Sequence, residues 1–209
     1  MKSFINNIFN IFFEPRPEII FFRSFSVENF IENLENPDFK YYTKINNIPI
    51  YSLFSYQDPL IKLLITEIKF KKNHTALELG KKLLAFKLTH FPSDYIYVPI
   101  PMSPQEYKKR GFNQTLELLK GAELILKNIR VVSLLKKIRE TSPQVKQNKQ
   151  ERLKNLHQAF ALKKPLEPNS SLIIFDDVLT TGATMTEAIR AFITDTYPPR
   201  NIIGITFGH

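Results

Sequence analysis

Apolar positions along this chain form short runs and helical spacings that alternate over most of its length. Residues 172–175 are four consecutive apolar side chains, too few for a buried helix and suited to a parallel strand covered on both faces. A small polar turn follows, and then a helical pattern over 185–193. Upstream, 48–56 alternates in part and predicts a strand. Leu60, Leu63, Leu64 and Ile68 predict a helix that starts at Asp58 and Pro59, the first as N-cap and the second in the first turn. A second helix is predicted over 76–88, a strand over 95–101, and a helix through Leu116, Leu118, Leu119, Leu124 and Ile125. Residues 131–135, 159–162 and 202–207 read as further strands. This alternation predicts an α/β fold, with a mostly parallel twisted sheet flanked by helices.

The first 47 residues follow another pattern. Phe4, Ile5, Ile8, Phe9, Ile11, Phe12 and Phe13 have roughly helical spacing, interrupted by Pro15 and Pro17. Residues 19–22 read as a short strand-like run and 26–34 as a short helix ended by Pro37. The segment 1–47 is too small to bury a large core alone. It is therefore expected to dock as an N-terminal appendage on a body comprising 48–209.

Composition narrows the classes. Apolar residues make up 43% of the 209 and charged residues 23%, which predicts a folded globular protein. No apolar run reaches the roughly 18 residues of a membrane span, and the N-terminus lacks the pattern of a secretory signal. Cys is absent, which excludes disulfides, thiolate zinc sites and a thiol nucleophile. A cytoplasmic address is expected. The net charge of +9 points to a polyanionic partner such as nucleic acid or an anionic membrane surface. Gly80, Lys81 and Lys82 lack the upstream glycine of a nucleotide-binding P-loop, because Thr75 stands in its place.

The chemistry concentrates in 176–184. Asp176 and Asp177 are expected together at an exposed strand end, followed by Thr180, Thr181, Gly182, Ala183 and Thr184 before a helix. A turn into a helix N-terminus is an anion site, because its backbone N–H groups point outward unpaired. Gly182 admits close approach of a ligand, and the threonine hydroxyls add donors. Two carboxylates beside a phosphate cradle suit a ligand that also carries hydroxyls or magnesium, as a ribose 5-phosphate does. Lys108, Lys109 and Arg110 add cations downstream of the 95–101 strand. The basic run from Lys136 to Lys154 reads equally as a solvated loop or as a lid or nucleic-acid contact.

The 176–184 pattern resembles the signature of type I phosphoribosyltransferases, which bind phosphoribosyl pyrophosphate with magnesium. Four further stretches precede it in order: 98–101, 109–114, 139–144, and 151–155 with Ala159 and Phe160. Together they resemble the ComF family of competence-associated, phosphoribosyltransferase-like proteins over roughly 48–207. The resemblance implies a type I phosphoribosyltransferase-like fold that binds phosphoribosyl pyrophosphate. It also implies import or handling of single-stranded DNA at the cytoplasmic face of the inner membrane. A competence helicase or an inner-membrane DNA channel would be the protein partner, with peripheral membrane association.

By the same resemblance, Asp176 and Asp177 would hold the ribose hydroxyls and contact magnesium indirectly, and residues 180–184 would hold the 5-phosphate. Pro101, Met102 and Ser103, with Lys108 and Arg110, would face the pyrophosphate. Arg139, Thr141, Gln144 and Arg152 would belong to a lid. The family's usual four-cysteine zinc site has no counterpart in this cysteine-free chain, so no structural zinc is expected. Packing among Phe12, Phe13, Phe21, Phe22, Phe25 and Tyr41 is expected in its stead. Two other functions stay open at this point. One is transfer of the ribosyl phosphate to an unidentified nitrogenous base, and the other is a scaffold with a relic pocket.

Overall fold

A computed structural model of the chain describes residues 17–37, 40–138, 159–193 and 198–209. Its helices are α1 (Pro17–Arg23), α2 (Val27–Glu32), α3 (Pro59–Lys71), α4 (His74–Leu88), α5 (Pro104–Arg110), α6 (Gln114–Leu126) and α7 (Ala183–Ile193). Its strands are β1 (Tyr41–Ile45), β2 (Ile48–Phe54), β3 (Ile96–Pro99), β4 (Arg130–Val131), β5 (Leu135–Lys137), β6 (Phe160–Leu162), β7 (Ser171–Val178) and β8 (Asn201–Gly208). Six of them form one sheet in the order β1-β2-β8-β7-β3-β4. Only the β1–β2 pair is antiparallel in that sheet. The expected mostly parallel α/β architecture is therefore observed.

Both faces of the sheet are covered, as near-continuous apolar strands require. On one face Tyr97, Ile173, Phe175, Ile205 and Phe207 meet apolar residues of α3, α4 and α6. On the other, Val98, Leu172 and Ile174 meet Met185, Ala188, Ile189 and Phe192 of α7 and the small β5–β6 hairpin. Crossovers moving in opposite directions along the sheet use opposite faces, as a single crossover hand requires. The chain moves from β2 to β3 through α3 and α4, and from β3 to β4 through α6, all on the first face. It returns from β4 to β7 through the hairpin and goes on to β8 through α7, on the second face. The carboxyl ends of the neighbours β3 and β7 thus feed opposite faces, and the crevice between them is a topological switch point. Ligands of open α/β sheets bind at such points.

Three expected elements differ. Residues 19–22 are helical within α1. Pro17 at the first turn, Glu18 near the N-terminus and Arg23 in the last turn suit a helix and its dipole. Residues 131–135 divide between two sheets: Val131 ends β4, whereas Leu134 and Leu135 turn to the second face, where β5 pairs with β6. The 172–175 strand runs on to Val178, so both acids lie inside β7. In the N-terminal segment, Phe21, Phe22, Phe25 and Phe30 pack edge to face, with successive ring centroids 5.0–5.3 Å apart. The β1–β2 hairpin turns at Asn46 and Asn47, both with positive φ, and carries β1 into the main sheet. Residues 1–16, including Phe12 and Phe13, lie outside the described residues.

Candidate functional site

The β7–α7 turn is anchored at both ends. The Leu179 amide donates to Gly208 O at 2.9 Å, and His209 Nδ1 lies 3.0 Å from Leu179 O. Both the amide and the hydroxyl of Thr186 donate to Gly182 O, at 2.8 and 2.9 Å. Gly182 has φ +74°, a left-handed conformation that a side chain would strain. Between these anchors the turn faces outward. Thr180, Thr181 and Thr184 are exposed, and the Ala183 amide donates to Thr181 Oγ1 at 3.4 Å. Among the described residues no hydrogen bond uses the amides of Thr180, Thr181, Gly182 or Thr184. Four amide donors and three hydroxyls therefore line the positive end of α7, which can receive an oxyanion.

The two acids do not act alike, because neighbours on a strand point to opposite faces. Asp177 turns toward the first face and is 8% exposed, so the expected exposed strand end does not hold for it. Its Oδ2 accepts from Lys69 Nζ at 2.8 Å and from Gln114 Nε2 at 2.6 Å. Asp176 turns toward the second face and is half-buried. Burial first, and the Asp177 carboxylate second, push the Asp176 carboxyl up to about 7. The Asp177 amide, 2.9 Å from Asp176 Oδ1, and the charges of Lys69 and Lys137 offset only part of that. On the β3 side, pairing stops at Pro99 with Phe175 and at an Ile100 amide bond to Phe175 O, so both acids extend beyond β3. Asp176 is thus a proton-poised carboxyl beside an outward-facing amide cluster.

The β3–α5 turn lies across the crevice. Pro101 and Met102 are half-buried and Ser103 is buried. Ser103 is held in a capping box: its Oγ accepts from the Glu106 amide at 3.2 Å, and its own amide donates to Glu106 Oε2 at 3.0 Å. Lys137 Nζ stands 3.4 Å from the same carboxylate. Burial works to raise the Glu106 carboxyl, but the Ser103 amide and Lys137 outweigh it and hold it below its ordinary value. Lys108 is exposed on α5. Arg110 instead donates to Gln114 Oε1 at 3.2 Å and lies over the Phe70 ring at 5.2 Å.

Arg139, Thr141, Gln144 and Arg152 fall outside the described residues. Three polar residues at the site escaped the sequence reading. Lys69 reads as the basic end of a helix, Gln114 only as the last residue of the 109–114 stretch with no role of its own, and Lys137 as one charge in a basic run. Only the topology brings them to the acids.

No protein-family model matches the chain. It is 29% identical over 134 residues to the Competence protein ComFC of Streptococcus pneumoniae, covering 64% of this chain and 57% of that protein. It is 30% identical over 150 residues to the DNA utilization protein YhgH of Salmonella typhi, covering 69% and 65%. The chain belongs to the ComF family. A 28% match over 145 residues to the Competence protein ComFC of Bacillus subtilis covers 68% of this chain and 57% of that protein. The matched part spans less than two thirds of these relatives' own lengths. The two ComF-like turns, 99–103 and 176–184, end on the neighbouring strands β3 and β7.

Proposed function

We propose that this chain is a type I phosphoribosyltransferase-like protein that binds phosphoribosyl pyrophosphate with magnesium. In this reading it handles single-stranded DNA in natural competence, at the cytoplasmic face of the inner membrane. The observation that carries the ligand is the β7–α7 turn, whose unpaired amides and exposed hydroxyls stand beside Asp176 at the switch point. The 5-phosphate binds the amides of Thr180, Thr181, Gly182 and Thr184. Asp176, once ionised, accepts hydrogen bonds from the ribose hydroxyls. Magnesium, when bound, neutralises pyrophosphate charge on the side of Pro101 and Met102. Asp177 touches no ligand in this account. Tied to Lys69 and Gln114, it holds the floor of the crevice.

The names of the relatives support the DNA side of the reading, since two are competence proteins and one a DNA utilization protein. The +9 net charge supports a polyanionic partner. Among the described residues no helix is long and apolar enough to cross a membrane. In this reading membrane contact is peripheral, beside a competence helicase or DNA channel.

A thermal-shift titration tests the ligand. Magnesium phosphoribosyl pyrophosphate at 100 times its dissociation constant is expected to add about 2.7 kcal/mol of stability. Ribose 5-phosphate is expected to bind more weakly, and inorganic pyrophosphate more weakly still. No shift with any of the three contradicts the reading. Pyrophosphate release in the presence of nitrogenous bases would extend it from binding to transfer.

A further inference from the structure

We infer that the ends of α3 and α5 form a stacking platform for single-stranded nucleic acid, distinct from the sugar-phosphate turn. The inference rests on the DNA half of the proposed function and gives it an address. Phe70 and Tyr107 are large aromatic side chains left 64% and 53% exposed. Tyr107 and Arg110 are three residues apart on α5 and share one face of it, and Arg110 covers the Phe70 ring at 5.2 Å. The Lys72 ammonium belongs to the same surface, because a side-chain carbon built on Gly111 would stand 3.4 Å from its Nζ. Lys108 flanks the group and is exposed.

Basic residues in the last turn of a helix have an ordinary purpose in offsetting its dipole. That accounts for some of the charge at these two helix ends but not for the two rings, which stay 64% and 53% exposed even with Arg110 over Phe70. Rings flanked by cations are the elements with which proteins hold single strands: bases stack on the rings and phosphates sit on the cations. A duplex keeps its bases stacked inward and cannot use the rings. The platform also adjoins the ligand crevice, because Arg110 bonds Gln114 and Gln114 bonds Asp177.

Fluorescence anisotropy of a labelled oligothymidylate with the full chain tests this, over a range of salt concentrations. Phe70→Ala with Tyr107→Ala is expected to weaken binding by roughly tenfold or more. Lys72→Asn keeps a residue that tolerates the left-handed backbone at that position and is expected to flatten the log–log salt slope by about 0.7. Duplex DNA is expected to bind more weakly than the single strand and to ignore the ring substitutions. Calorimetry with magnesium phosphoribosyl pyrophosphate on the Phe70→Ala, Tyr107→Ala protein separates the two readings. Wild-type ligand affinity with lost DNA affinity supports the platform. Unchanged DNA affinity in the ring variant, or an unchanged slope for Lys72→Asn, overturns the platform whether or not the ligand binds. Absence of oligonucleotide binding by the wild type at low salt overturns it together with the DNA half of the proposed function.

Discussion

Asp176 and Asp177 share a sequence motif but face opposite sides of β7, and removing them has different consequences. Asp177→Ala leaves Lys69 and Gln114 without their shared acceptor in a buried place, at a cost of about 2 kcal/mol. A protein of this size then loses roughly 5 °C of melting temperature. Asp176→Ala is expected to keep the wild-type denaturation midpoint or raise it at pH 8, while losing the sugar-phosphate ligand. Equal midpoints for the two variants would contradict the assignment. The pH dependence of stability follows from the raised Asp176 carboxyl. Between its ordinary value of 3.8 and about 7, the folded chain holds a proton that the unfolded chain has released. This group's contribution therefore falls as pH rises through that window and stays low above it. Asp176→Asn removes the titration, so its melting temperature is expected to gain on the wild type more at pH 8 than at pH 5. Identical gains at both would contradict the burial argument.

At the scale of elements, local chemistry was legible where it acts over a few residues. Asp58 with Pro59 marks the start of α3 in the sequence, and Asp58 Oδ1 does accept from the Leu60 and Ile61 amides, at 2.9 and 3.3 Å. Its other oxygen accepts from the Glu35 amide at 2.7 Å, a tie to the N-terminal segment that no local pattern announces. Asp58→Ala is accordingly expected to cost about 2 kcal/mol, more than a solvent-facing cap, with urea denaturation as the measurement. The turn at Gly182 was legible as a glycine that admits close approach before a helix, and the structure adds its positive φ of +74°. Gly182→Ala is expected to lower stability by about 1 kcal/mol and to disorder the phosphate cradle. Its added carbon would also stand 3.2 Å from Ile45 Cδ1, on β1. Illegible were features set by partners distant in the chain. The split of 131–135 between two sheets and the Lys69–Asp177 pair depend on the crossovers, and α1 hides as a strand-like run because four apolar residues fit either period.

At the scale of the molecule, the fold contributes position. Crossovers on opposite faces open a crevice between β3 and β7. The unpaired amides of the β7–α7 turn, the raised carboxyl of Asp176 and the β3–α5 turn all border that crevice. The excess of cations belongs to the same scale, since it governs association and not fold. If about six phosphates of a single strand are neutralised, the log–log salt slope is expected near −4. The most direct test of the account is a calorimetric titration of the chain with magnesium phosphoribosyl pyrophosphate, at pH 6.5 and pH 8, in two buffers of different ionisation enthalpy. The account predicts saturable binding with one ligand per chain, tighter at pH 8, with protons released at pH 6.5 as Asp176 ionises. A titration with no saturable heat at either pH would contradict it.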